Sequence, residues 1–366
     1  MRISSIILCL FIGVFIYSPG NAFAQNSSDS LNAVKLVGLK FHLGSVLIHS
    51  RELRPIKDSY PTGIELDLAW HKISQKAWES CMCYPKLGMA LTYWGFDNKE
   101  VLGQGLTGLF YIEPVFNTKG RVNYSVRAGL GFSYQNSPYD PVLNPDNQSY
   151  STYIGFPLQL GGTVHFRIKD RWLLNGTLVY NHISNGGVRK PNKGINWPSI
   201  GIGMAYYLKE FEFKKRAVIN WRDLGPPQKR LDFTLFMAYE EPRDNLFLLS
   251  PGLEIKWSRQ FARVNAYTFG GEVMYDNGTG YVLEQSGDEG SSVKAGVAIG
   301  HEFLLGKFLF SQQFGVYLSN PNPMHSDLYQ RYGLVYRIGK KFNVGINLKA
   351  HGHVANFLDF RVGFSL

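Results

Sequence analysis

An all-β, outer-membrane antiparallel β-barrel built from two eight-stranded halves is the fold class this sequence predicts, and three observations predict it. From Val34 onward apolar and polar residues alternate with a period of two, which sends successive side chains to opposite faces of a strand. The alternating segments run for about 10–15 residues, enough for a tilted strand to cross a bilayer, whereas strands of soluble proteins average roughly 5–6. Connections are tight at one end, as at 117–121 and Lys169-Asp170-Arg171, and long and rich in Pro, Asn, Asp and Gly at the other, as at 49–61, 136–151 and 186–193. Short turns on one side and long loops on the other are the asymmetry of an outer-membrane barrel.

The chain has 366 residues, 45% apolar, 14% aromatic and 18% charged, a composition that excludes both a disordered chain and a helical membrane protein. Residues 1–24 read as a secretory signal peptide: a basic start at Arg2, an apolar run over 6–17 and a small-x-small end at Ala22-Phe23-Ala24,. Cys9 lies within the apolar run, not at a lipoprotein cleavage site. Cys81 and Cys83 lack further ligands at metal spacing, and a disulfide between residues so close closes a strained ring; a minor structural pair and a redox or disulfide role both stand. After the signal no run of 18 or more apolar residues occurs, so a membrane-spanning form must be a barrel. The formal charge is +10. Nucleic acid is an implausible partner for an exported barrel, whereas membrane lipid headgroups and the phosphates of lipopolysaccharide fit Arg189, Lys190 and Lys193 in one long loop; simple solubilising charge is the other reading.

Strands are expected at 35–48, 62–74, 85–96, 103–115, 122–135, 152–168, 172–185 and 194–208. After a polar connector at 209–230 they resume at 231–240, 246–257, 262–275, 292–303, 308–318, 328–338, 342–350 and 355–366. The second set looks like a worn copy of the first. Val164-His165-Phe166-Arg167-Ile168-Lys169-Asp170-Arg171-Trp172 aligns with Leu334-Val335-Tyr336-Arg337-Ile338-Gly339-Lys340-Lys341-Phe342, and His182-Ile183-Ser184-Asn185 with His353-Val354-Ala355-Asn356,. The expected organisation is a signal (1–24), a first half (25–208), the connector and a degenerate second half (231–366). Eight strands twice make one barrel of about 16 strands or two tandem small barrels. Lys349, His351 and Arg361 on the inward face of the second half call for space and water and favour the single barrel, while Gly38, Gly44, Gly88, Gly103, Gly105, Gly201 and Gly203 suit a narrow interior. His351 and His353 read as structural.

One stretch carries chemistry. Leu174, Leu178 and Tyr180 set the outward face of the seventh strand, and His182 and Ser184 continue it at the long-loop end; the next strand begins its outward face at Asn196. Two residues apart on one face is about 7 Å between Cα atoms, close enough for an imidazole to take a serine proton during attack on an ester carbonyl. An interfacial His beside a hydrogen-bonded Ser, without chemistry, is the alternative.

At these residues the sequence resembles the outer-membrane lipid A 3-O-deacylases, related in name to acyloxyacyl hydrolases. His182, Ser184, Asn185, Asn192 and Gly194 stand at the spacing of that family. The resemblance implies an eight-stranded barrel with its site on the lipid-facing outside, no cofactor and no metal, His182 as base, Ser184 as nucleophile, Asn192 as oxyanion donor and Asn185 as a positioning residue. Asn196 occupies the family's acid position. It can hold an imidazole but carries no charge, and in the serine-protease template an Asp-to-Asn change costs about 10⁴ in rate. Asp140 or Asp146 could reach over from a loop, or the enzyme is slow, or it is inactive. Ala355 replaces the serine in the second half. Three functions follow: an esterase removing an acyl chain from lipid A or a related glycolipid, a barrel that binds lipopolysaccharide without chemistry, and an outer-membrane phospholipase.

Overall fold

The computed structural model describes residues 32–243, 246–287, 290–322, 326–352 and 354–366. The expected signal peptide and His353 lie outside the described residues. Among the described residues sixteen strands occur in chain order. The first eight are β1 (Ala33–Gly44), β2 (Thr62–Lys72), β3 (Tyr84–Gly95), β4 (Gln104–Phe116), β5 (Val122–Gln135), β6 (Ile154–Lys169), β7 (Trp172–Ser184) and β8 (Ile195–Tyr207). The second eight are β9 (Lys229–Arg243), β10 (Leu246–Ala262), β11 (Asn265–Tyr275), β12 (Val293–Leu305), β13 (Phe308–Ser319), β14 (Leu328–Ile338), β15 (Phe342–His351) and β16 (Val354–Ser365). Within each set of eight, each strand pairs antiparallel with the next.

Two separate barrels close, and this corrects the expectation of one large barrel. β1 pairs with β8 from Leu36↔Tyr207 to Gly44↔Ser199, and β16 pairs with β9 from Leu358↔Tyr239 to Ser365↔Asp232. The inward charges that seemed to need a wide, wet lumen neutralise one another in a narrow one. Lys349 pairs with Glu272 at 2.8 Å, Arg331 with Asp359 at 2.7 Å and Arg361 with Asp359 at 2.6 Å, while His351 reaches the Tyr317 hydroxyl at 3.2 Å. A buried charge is tolerated when it is paired, so the cations fill space instead of demanding it.

The first barrel is packed in the same way. Arg127 bridges Asp67 at 2.7 Å and both Glu65 and Glu113 at 2.9 Å; Lys40 meets Asp67 at 3.0 Å and Lys86 meets Glu113 at 2.8 Å. Aromatic rings occupy the remaining volume where glycine makes room. A Cβ on Gly88 would stand 2.3 Å from the Tyr111 ring, so the small residue there is a packing requirement. The outer wall is apolar, with Leu178 62%, Ile200 63% and Ile202 62% exposed, the pattern of a surface solvated by lipid.

The long-loop mouth of the first barrel is plugged by its own side chains. Val46, Leu53, Ile56, Trp94, Phe96, Leu102, Tyr150, Ile183, Ile195 and Trp197 form one buried cluster. At the opposite mouth Phe211 and Phe213 of the connector meet His71 edge-on, with ring centroids 6.3 and 5.0 Å away, which gives these two aromatic residues of the connector a packing role. The short helix α1 (Gln75–Cys81) ends at Met82, whose φ of 53° is left-handed. That turn carries Cys83 back to Cys81, and the two form a disulfide with Cα atoms 5.1 Å apart, where the sequence left their pairing open. A second helix, α2 (Asn277–Ser286), is capped by Asp276 and lies in the β11–β12 loop.

Candidate active site

β7 and β8 present their last outward positions at the plugged mouth. In the register His182↔Asn196 and Ile183↔Ile195, Ile183, Ile195 and Trp197 point inward and are buried in the plug. Because side chains alternate, that burial fixes His182, Ser184 and Asn196 on the outer side. The stretch from His182 to Ser184 thus stands on a buried apolar base.

His182 Nδ1 lies 2.6 Å from Asn196 Oδ1. Asn196 Nδ2 lies 3.1 Å from His49 Nδ1, and His49 Nε2 lies 3.0 Å from the Lys193 carbonyl oxygen. Among the described residues no hydrogen bond engages His182 Nε2. Ser184 is 8% exposed, and its Oγ accepts the Gly186 N–H at 3.4 Å. The imidazole and the hydroxyl share a face but are not hydrogen-bonded to each other, and catalytic hydrogen bonds commonly tighten only when substrate binds. Gly194 turns at φ 72° directly over the imidazole, where a Cβ would stand 2.7 Å from His182 Cε1.

The remaining expected residues divide by their bonds. Asn185 is consumed by the loop: its Nδ2 donates to the Arg189 carbonyl at 2.6 Å and to Ser151 Oγ at 3.2 Å, and its Oδ1 accepts the Gly187 N–H at 3.1 Å. Asn192 Oδ1 accepts the Asn185 N–H at 2.9 Å, and among the described residues its amide nitrogen has no bond. Lys190 is exposed and Arg189 half-buried. Lys193 is also exposed, with its ammonium 3.2 Å from Glu52. The carboxyl of Glu52 is pulled down to about 2 by hydrogen bonds from its own backbone and Ser50 and by Lys193, so this surface pair stays charged across ordinary pH.

Among the described residues no loop carboxylate replaces the missing acid at His182. Asp140 Oδ1 accepts the N–H groups of Val142 and Leu143, each at 2.8 Å, which lowers its pKa and commits it to its own turn; among the described residues Asp146 makes no bond to the imidazole. His49 is the site residue that sequence reasoning missed. It lies on the far side of the chain, and only closure of the barrel makes β1 the neighbour of β8. The signal was present in the register: continued three residues beyond Gly44↔Ser199, it sets Leu47 opposite Asn196, where the Leu47 N–H donates to the Asn196 carbonyl at 2.8 Å.

The loop after Ser184 also touches the second barrel. The Glu241 N–H donates to the Val188 carbonyl at 3.0 Å, and Arg189 and Glu241 form an isolated parallel bridge. Gly187 fits so closely that a Cβ would stand 2.5 Å from the Asn356 carbonyl oxygen, and one on Gly186 would stand 3.5 Å from Leu358.

Two family descriptions match the chain in tandem: "Lipid A 3-O-deacylase (PagL)" over residues 64–207 and "Acyloxyacyl hydrolase, C-terminal domain" over residues 229–366. The chain belongs to the lipid A 3-O-deacylase and acyloxyacyl hydrolase family. Each match falls on one of the two barrels, so the second barrel is a recognised part of this family and not a stray copy. The matched descriptions are those of hydrolases that cleave an acyl ester, with lipid A as the substrate of the class, and closed barrels with an apolar outer wall fit an outer-membrane protein. Among solved structures, the chain is similar to "Crystal structure of the outer membrane enzyme PagL", at 14% identity over 45% of this chain and 97% of that one, with a TM-score of 0.35. It is also similar to a mutant of Rh. blastica porin, at 12% identity over 91% of this chain and 100% of the porin, with a TM-score of 0.20. Neither score carries weight about the arrangement of the strands. No curated protein matches the chain.

Proposed function

We propose that this lipid A 3-O-deacylase family member is a serine esterase in which Ser184 attacks the ester that holds an acyl chain on lipid A. His182 Nε2 accepts the Ser184 proton as Oγ adds to the ester carbonyl, and returns it to the departing sugar alkoxide. The acyl-enzyme is then opened by water, with His182 taking the water proton. Asn192, through its amide nitrogen, is the candidate donor to the tetrahedral oxyanion. Arg189, Lys190 and Lys193 line the headgroup side, where phosphates of lipid A would sit; Lys193 must share itself with Glu52. Asn185 holds the loop together. The lipid-facing placement suits a substrate whose acyl chains never leave the bilayer.

The observation that carries this reading is the 2.6 Å bond from His182 to Asn196 on the outer face of the barrel, since an imidazole held by one nitrogen offers the other as a base. Asn196 orients the ring but adds no negative charge to stabilise imidazolium. Asn196→Asp is therefore expected to raise kcat about tenfold or more with little change in KM, measured as free fatty acid released per unit time. An unchanged or lower kcat in a folded variant would mean that Asn196 is not the orienting residue.

Defined lipid A and defined phospholipid, presented separately to the purified barrel in detergent, test the function itself, with mass spectrometry of the acids released. Hydroxy acid from lipid A supports the proposal. Fatty acid from phospholipid alone would favour the phospholipase, and release from neither would leave a binding barrel.

A further inference from the structure

We infer that His49 is a positioning residue that sets which nitrogen of His182 carries the proton, an inference that rests on the serine-esterase reading above. A backbone carbonyl only accepts, so the 3.0 Å contact with the Lys193 oxygen puts the proton of neutral His49 on Nε2. Its Nδ1 is then an acceptor. The atom of Asn196 that faces it at 3.1 Å must donate and is therefore the amide NH₂. Asn196 in consequence turns its Oδ1 toward His182, at 2.6 Å, and the His182 proton must sit on Nδ1. Nε2 is left as a lone pair for the Ser184 proton.

The alternative chain is distinguishable. Were Asn196 flipped, its NH₂ would face His182, whose Nδ1 would become the acceptor and whose Nε2 would carry the proton. That imidazole cannot act as a base toward Ser184. A carboxylate at the same position has no wrong orientation because it has only acceptors, whereas an amide has two faces and needs something to choose between them. His49, anchored on the Lys193 carbonyl, makes that choice. The hydrogen bonds also polarise one another in sequence from Lys193 to His182, so that Asn196 Oδ1 is a better acceptor for the imidazolium that forms during the reaction.

His49→Phe keeps the ring and removes both polar atoms. It is expected to lower kcat about tenfold, the scale of one hydrogen bond acting in the transition state, with KM within about twofold. His49→Lys presents only donors, favours the flipped amide and is expected to be worse than His49→Phe. His49→Asn keeps an acceptor near the Nδ1 position and is expected to restore most of the loss. In an Asn196→Asp background the His49→Phe loss should shrink to about twofold or less. Equal losses in the two backgrounds, or a His49→Lys variant as active as His49→Phe, would overturn the inference, because a merely structural role moves both backgrounds alike.

The tautomer is read independently of activity by ¹⁵N NMR of the imidazoles in the full-length protein in detergent micelles, with His182→Gln used to assign the signal. The expected spectrum of the parent protein has a protonated Nδ1 and an unprotonated Nε2 on His182, exchanged or averaged in His49→Lys. A protonated Nε2 in the parent protein overturns the inference. The expected tautomer in a protein that releases nothing from lipid A leaves the positioning role standing and removes the esterase reading.

Discussion

Ser184→Ala is expected to abolish acyl release from lipid A, by at least about 10³-fold in kcat, while the barrel still folds and inserts. The substitution removes little structure. In the resting protein Ser184 Oγ accepts one long N–H contact, from Gly186 at 3.4 Å, and the strand is held by its ladder to β6 and β8 and by Ile183 in the plug. Release is measured by mass spectrometry of the free acid, and folding by the shift of the unheated barrel on a denaturing gel. Residues that work as a unit are not additive, so the His182→Ala, Ser184→Ala double variant should be no slower than Ser184→Ala alone. Retained release in folded Ser184→Ala would remove the serine from the chemistry; a double variant much slower than either single one would mean that His182 acts elsewhere.

Arg127→Met should destabilise the first barrel by about 3–5 kcal/mol, the usual cost of removing one partner from a buried ionic cluster. Glu65, Asp67 and Glu113 are balanced by Lys40, Lys86 and Arg127, and the guanidinium alone touches all three carboxylates while lying 3.8 Å from the centre of the Tyr111 ring. Methionine fills much of the volume and leaves an uncompensated negative charge with no water to receive it. The loss is read as a fall in the urea midpoint of refolded barrel in detergent. Asp67→Asn added to Arg127→Met should recover part of it, since the charge balance is restored. A midpoint unchanged in Arg127→Met would mean that the lumen admits enough water to screen the cluster.

How much of this was legible in the sequence depended on the range over which each feature is encoded. Alternation is local, so β7 from Trp172 to Ser184 and the outward placement of His182 and Ser184 could be read directly. Closure is not local. Nothing near Ser199 says that its neighbour is Gly44, and without that pairing His49 had no reason to be associated with Asn196. The choice between one barrel and two failed for a related reason. Lys349 and Arg361 were visible as inward charges, and Asp359 stands two residues from Arg361, but Glu272 and Glu254, which complete the balance, lie 77 and 107 residues away. The disulfide stayed open on its spacing because the left-handed turn at Met82 was not foreseen. The burial of Ser184 was equally hidden, because the loop that covers it is braced by β9 and β16 of the other barrel.

That bracing includes main-chain contacts: the Val188 carbonyl with the Glu241 N–H, and Gly187 beneath the carbonyls of Ala355 and Asn356. Contacts of this kind are sensitive to the height of the second barrel's rim. One residue added to or removed from β16 would raise or lower its rim by about 3.3 Å, more than the clearance at Gly187 permits. A barrel whose own copy of the motif has alanine where the first has serine thereby sets the height of the wall against which the loop after Ser184 rests.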